Sequence, residues 1–167
     1  MKNVEFKAEL RDAKLAADIL RTIGATHIAT LEQTDTYYNV ASGRLKRREC
    51  VGEPTEYIRY ERPDAAEPRI SEFTIYSENE AIAQFGTRPL PVRAVVKKTR
   101  ELWMHGPVRV HLDDVERLGR FLEFEALLGR GCAESRGREL VTMLRDKLAP
   151  VIGEPVSRGY ADMIETK

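Results

Sequence analysis

The sequence predicts an α+β fold built mainly on an antiparallel sheet or barrel, and three observations predict it. Eight stretches alternate apolar and polar residues with period two. Only three stretches carry the period of an amphipathic helix. Turn-forming clusters, "NVASG", "VGEP", "RPDAAEP" and "MHGP", separate several of the alternating stretches. Short strands in number with few helices are the signature of antiparallel sheets and barrels.

Taken in order, "NVEFKAEL" (3–10) sets Val4, Phe6, Ala8 and Leu10 on one face and Glu5, Lys7 and Glu9 on the other. "RDAKLAADILRTIGA" reads as a helix, with Asp12 as N-cap, an apolar stripe at Leu15, Ile19, Leu20 and Ile23, and Gly24 as stop. Strands are expected at 34–39, 44–50, 55–62 and 70–76. "SENEAIAQFG" follows as a short helix, with Ser77 and Glu80 in capping-box spacing. Strands at 93–103 and 107–113 are joined by "MHGP" as a hairpin turn, and a further strand covers 121–127. "ESRGRELVTMLRDKLAPVIG" aligns Leu140, Val141, Leu144 and Leu148, and Pro150 ends this last helix.

At 167 residues the chain is expected to form a single domain, 1–167, with no repeat or linker. Its 27 basic and 27 acidic residues cancel, so global charge predicts neither nucleic-acid nor membrane binding. No stretch approaches the roughly 18 consecutive apolar residues of a membrane span. The start, MKNVEFK, has no apolar signal region, and Cys50 and Cys132 have neither metal-finger spacing nor the number for a disulfide framework. A cytoplasmic protein is expected.

Charge is segregated locally instead. Arg44, Lys46 and Arg48 share a strand face; so do Lys98 and Arg100, and Arg109, His111 and Asp113; Glu123 and Glu125 form a carboxylate pair. Any one row is also what a water-facing strand shows. As a set they sort by sign, and adjacent like charges repel unless a ligand, a counter-row or solvent answers them. A barrel with a polar interior would bring basic and carboxylate rows around one volume. That combination suits a polyphosphate with a divalent cation: Arg and Lys hold phosphate oxygens, and carboxylates hold Mg²⁺ or Mn²⁺. Neither GxxxxGK[ST] nor GxGxxG is present, so side chains must replace the backbone cradle. His111 is read first as a hydrogen-bonded structural residue and second as a general acid or base. Tyr37, Tyr38 and Trp103 are read as packing residues. Arg47 breaks the alternation of its strand and should face outward.

These pieces, in this order, resemble the CYTH family, which includes class IV adenylyl cyclases and thiamine triphosphatases. The resemblance runs almost end to end, through "NVEFK" (3–7) against the family's E-x-E-x-K, "QTDTYYN", "GRLKRRE", "YIRYERPD", "VVKKTREL", "VHLDDVERLGRFLEFE" and the cyclase-like tail "SRGYADMI". It implies an antiparallel barrel of about eight strands, the triphosphate tunnel, with inward charges and a few flanking helices. It implies Glu5, Asp113, Glu123 and Glu125 at the Mg²⁺ or Mn²⁺ site, with Asp113 as ligand or supporting carboxylate. Lys7, Lys98 and Arg100 would be catalytic. Lys46, Arg48, Arg62 and Arg109 would bind substrate, with Arg59 as the alternative to Arg62. Glu9 would sit at the tunnel mouth.

Two departures stand out: Asn3 replaces the first Glu of the N-terminal motif, and the His-Phe pair often found before that motif is absent. The resemblance implies a small-molecule triphosphate as partner and allows a homodimer through edge pairing. It places conversion of ATP to cyclic AMP and pyrophosphate first. Hydrolysis of tripolyphosphate, thiamine triphosphate or nucleoside triphosphates is the alternative, and a non-catalytic polyanion-binding module the next.

Overall fold

The computed structural model describes residues 1–166. In chain order the elements are β1 (Lys2–Leu10), α1 (Ala13–Thr22), β2 (Thr26–Tyr38), β3 (Arg44–Cys50), β4 (Glu56–Glu61), β5 (Arg69–Ser77), α2 (Glu78–Phe85), β6 (Val92–His105), β7 (Val108–Val115), β8 (Gly119–Leu127), α3 (Glu134–Lys147), β9 (Ile152–Pro155) and α4 (Tyr160–Glu165). The strands pair antiparallel in the order β5-β4-β3-β2-β6-β7-β8-β1, and β1 pairs back onto β5, so eight strands close into a barrel. β9 adds outside the ring, on the C-terminal half of β1. The expected α+β barrel is the fold.

Local chemistry explains the elements. Asp12 caps α1 by accepting from the Leu15 N–H at 3.0 Å. Ser77 and Glu80 close the capping box of α2. The turn between β6 and β7 passes through Gly106 at φ +54°, a conformation that favours glycine. α3 lies so close to the barrel that a Cβ on Gly137 would come within 2.8 Å of Leu128 Cδ2.

The apolar faces of β1, β7 and β8 point outward and are covered by α1 and α3. Val4, Phe6, Val108, Val110, Leu122 and Phe124 are fully buried against Ala16, Leu20, Val141, Leu144 and Leu148. Their alternate, polar side chains therefore face the barrel interior. A second apolar cluster joins Tyr37, Val96, Val115 and Phe121 to Tyr160 and Ala161 of α4 and fills one end of the barrel.

Three differences from the sequence expectation have a physical reason. β2 begins at Thr26 rather than 34, because "THIATLEQ" runs as one arm of a long ribbon with β6, largely exposed and without clean alternation. β9 has four residues and α4 six, too short for any period to register. No helix among the described residues is long and apolar enough to cross a membrane.

Candidate active site

The barrel interior holds a cavity of about 320 Å³, at the small end of ligand pockets (~300–1,000 Å³). Glu5 and Lys7 come to it from β1, Lys46 and Arg48 from β3, Lys98 and Arg100 from β6, Arg109 and His111 from β7, and Glu123 and Glu125 from β8, with Arg62 just past β4. Every sequence-predicted site residue except Asp113 borders this one space. Asp113 lies behind it: its two oxygens accept from Arg100 Nε and Nη2, both at 2.7 Å, and Oδ2 also accepts from the Tyr160 hydroxyl at 2.7 Å. Here Asp113 holds Arg100 and the Tyr160 hydroxyl in place.

Arg62 lies 3.1 Å from Glu5 Oε1, whereas Arg59 donates to Ser42 Oγ at 3.2 Å and does not line the cavity. Arg47 faces outward, with Glu49 2.7 Å away. Glu9 is exposed and lies off the cavity. Trp103, only 1% exposed, packs in the core as expected.

Asp35 was passed over in the sequence, and it organises the cations. Wholly buried, it accepts from Lys46 at 3.0 Å, Lys98 at 2.8 Å, and Arg48 Nε and Nη2 at 2.8 and 2.7 Å. Burial alone would raise its pKa; the three cations outweigh burial and hold it well below the usual carboxylate range. Burial also pushes Lys98 down to about 7 and Lys46 to about 8, with neighbouring guanidiniums adding to the effect and Asp35 opposing it. Three cations on one carboxylate leave the row electron-poor and ready for a polyanion. Arg69 was also missed: its Nε sits 3.2 Å from Glu5, and its Nη1 donates to the Val156 carbonyl at 3.1 Å, tying barrel to tail. The signal available for Asp35 was its place in "QTDTYY", on the same face as Tyr37 and directly across from Arg48.

The carboxylates gather on the other side. Ligand atoms of His111, Glu123 and Glu125 lie within 4.8 Å of one another, and Glu5 and Glu125 are direct cross-strand partners. Glu125 is pushed up to about 8 by burial and by the charges of Glu123 and Glu5. Glu123 goes the other way: burial would raise it, but the charges of Lys7 and Arg100 hold it well below the usual range. His111 falls to about 4 through burial and the Arg100 charge, so it is neutral at pH 7. Its Nδ1 stands 3.6 Å from Glu123 Oε2, beyond hydrogen-bond distance, and has no partner. A neutral imidazole with an unpaired nitrogen beside crowded carboxylates is a donor set that fits a divalent cation. The sequence alone assigns His111 no part in a metal site.

Tyr160, carried in by α4, closes one end. Its ring lies 3.9 Å from Lys7 Nζ, and α4 is clamped outside by Arg93, which bonds Asp162 and reaches Glu165 Oε1 at 2.8 Å. The cyclase-like tail is therefore part of the cavity wall.

A closed antiparallel barrel with inward cation and carboxylate rows is the architecture of a triphosphate tunnel. Comparison with known sequences makes that specific: the CYTH domain profile matches residues 1–146, and the chain belongs to the CYTH family. Members of this family process triphosphates and depend on metal. No curated protein sequence matches significantly. Among solved structures, a conserved hypothetical protein of Pyrococcus furiosus superposes with TM-score 0.77 at 19% identity, over 96% of this chain and 98% of that one. A "putative adenylate cyclase" of Vibrio parahaemolyticus gives 0.74 at 18% identity, over 98% and 97%. A "putative adenylyl cyclase" of Hippeastrum, described as having a dominant triphosphatase activity, gives 0.64 at 13%, over 98% and 95%. At these identities the likeness is one of fold.

Proposed function

We propose that the protein is a metal-dependent enzyme that converts ATP to cyclic AMP and pyrophosphate. The facing of the Lys46, Arg48, Lys98 and Arg100 row against Glu5, His111, Glu123 and Glu125 across one cavity carries the metal-dependent triphosphate chemistry, and the tail that closes one end through Tyr160 favours cyclisation. The cations, with Arg62 and Arg109, neutralise and position phosphate oxygens. Glu5, Glu123 and Glu125, with His111, would hold Mg²⁺ or Mn²⁺, which when bound offsets the charge that develops on the phosphates.

In cyclisation the ribose 3′-oxygen bonds to the α-phosphorus, the α–β bridging bond breaks, and pyrophosphate leaves. The 3′-hydroxyl proton needs an acceptor. Lys7, lowered mainly by burial, is an amine shifted toward neutrality as a general base requires, while Lys98, bonded to Asp35 at 2.8 Å, binds phosphate with the cation row. Arg100, fixed by Asp113, stays charged and binds phosphate. The tail supports the nucleotide reading, since Tyr160 closes one end and limits water. Two free cysteines suit a reducing cytoplasm.

Hydrolysis at the terminal phosphorus uses the same cations and metal with water as nucleophile. The Hippeastrum neighbour's described activity favours keeping it as the second reading. Incubation with ATP, thiamine triphosphate and tripolyphosphate, each with Mg²⁺ and Mn²⁺, followed by chromatography separates them. Cyclic AMP with pyrophosphate supports the proposal. Orthophosphate without cyclic AMP overturns it in favour of hydrolysis. Triphosphate binding with no product indicates a polyanion-binding module.

A further inference from the structure

The cavity has a second, apolar wall that the phosphate chemistry leaves unused. Leu31 of β2, Ile58 of β4, and Phe73 and Ile75 of β5 all line it. Among the described residues, none of these four belongs to either apolar cluster. Ile58 and Ile75 are cross-strand partners, and Phe73 pairs with Tyr60, so three of them form one patch. Ile75 keeps 38% of its surface exposed. Apolar area left open in this way gains free energy only when an apolar group covers it.

The patch has a defined place in the barrel. On β5 the inward positions run from Arg69 through Ser71 to Phe73 and Ile75. Arg69 and Arg62 bond the Val156 and Ser157 carbonyls, where the tail closes the barrel. The apolar wall therefore lies toward the opposite end, and the cation row lines the same cavity.

Polar groups border the patch and lack partners. Asn3 Oδ1 and Gln33 Oε1 are buried, line the cavity and have no hydrogen bond. Asn3 pairs with Ser71, the inward position next to Phe73. Both oxygens are acceptors that no protein group uses, so a donor on a ligand in the cavity can reach them. An apolar face flanked by amides complements a flat heterocycle that carries an N–H group.

We infer that Leu31, Ile58, Phe73 and Ile75, with Asn3 and Gln33, form a subsite for the heterocyclic part of an organic triphosphate ester. This rests on the triphosphate reading of the charged wall and deepens it by naming the residues that tell an organic triphosphate from an inorganic one. Ile75→Asn, at a part-exposed position, and Phe73→Ala are the variants of choice. Titration calorimetry with Mg²⁺ compares α,β-methylene-ATP, whose α–β bridge cannot be cleaved, with inorganic tripolyphosphate on each. Each variant should weaken α,β-methylene-ATP by about ten-fold, as expected for lost apolar contact, and tripolyphosphate by far less. If Phe73→Ala does not fold, Ile75→Asn decides alone. Equal weakening of both ligands, or of neither, overturns the subsite while leaving the triphosphate reading in place. If neither ligand binds the wild-type protein, the triphosphate reading itself falls and the subsite with it.

Discussion

The wall made by β1, β7 and β8 and the wall made by β3, β4 and β5 use the same alternation to different effect. In the first, α1 and α3 cover the outward apolar face, and Glu5, Lys7, Arg109, His111, Glu123 and Glu125 are turned into the cavity. In the second, Arg47, Arg59 and Thr74 face outward, and the cavity side mixes Lys46 and Arg48 with Ile58, Phe73 and Ile75. Alternation specifies that a strand has two faces; the covering helices decide which face is inside. A wall buried on both sides must have its inward charges answered by one another or by a ligand.

A charge on the covered face should break this arrangement outright. Val110→Asp, at a fully buried site, is expected to cost more than about 4 kcal/mol and to abolish folding at moderate temperature. Thr74→Asp, outward on β5, should stay within about 0.5 kcal/mol in the same denaturant titration.

Removing the shared anion comes next. Asp35→Ala leaves Lys46, Arg48 and Lys98 buried together and should cost about 3–5 kcal/mol. Because a polyanion can replace the lost carboxylate, tripolyphosphate should raise the Tm of this variant more than that of wild type. An equal rise in both would mean that Asp35 does not counterbalance the phosphate row.

Within one strand the contrast sharpens. Arg48→Ala should weaken triphosphate binding by about 1.5–3 kcal/mol, the worth of a charge-assisted hydrogen bond. Its neighbour Arg47, outside the barrel, should change binding by less than about 0.5 kcal/mol on alanine substitution. Calorimetric titration of both variants gives the comparison.

The remaining effect is a linkage. Lys98, about 7 when folded, lies below its value in the unfolded chain, so at pH 8 to 10 the unfolded state binds the extra proton. Its contribution to stability is therefore absent below pH 7 and grows as pH rises toward the ordinary lysine value. A bound triphosphate reverses the shift, so binding at pH 8 should take up protons, and affinity should fall as pH rises. Calorimetry in buffers of different ionisation enthalpy measures the uptake; its absence would mean that Lys98 does not face the phosphates.

Much of this was legible in the sequence because the period-two pattern is local. "NVEFKAEL" placed Glu5 and Lys7 on one face, and the break at Arg47 placed it outside. Asp35, Arg69 and His111 were harder, since their roles arise from pairing across strands far apart in the chain, Asp35 with Lys98 and Arg69 with Glu5. The apolar wall was invisible for a related reason: Ile58 and Ile75 look like core residues until the closed barrel shows that nothing covers them. α4 was legible as a motif but not as an element, because its six residues dock through Tyr160 and Asp162 rather than through an apolar stripe.

If the inward charges of the helix-covered wall form a cation site, Mn²⁺ titration of the protein at pH 7 will detect it. Without a cation, Glu125 is held at about 8 and carries a proton that a bound cation must displace. The wild-type protein should therefore bind Mn²⁺ with release of a proton, and Glu123→Gln should lose most of that binding while remaining folded. Mn²⁺ binding unchanged in Glu123→Gln, or no Mn²⁺ binding by the wild type, would mean that these carboxylates do not form a cation site.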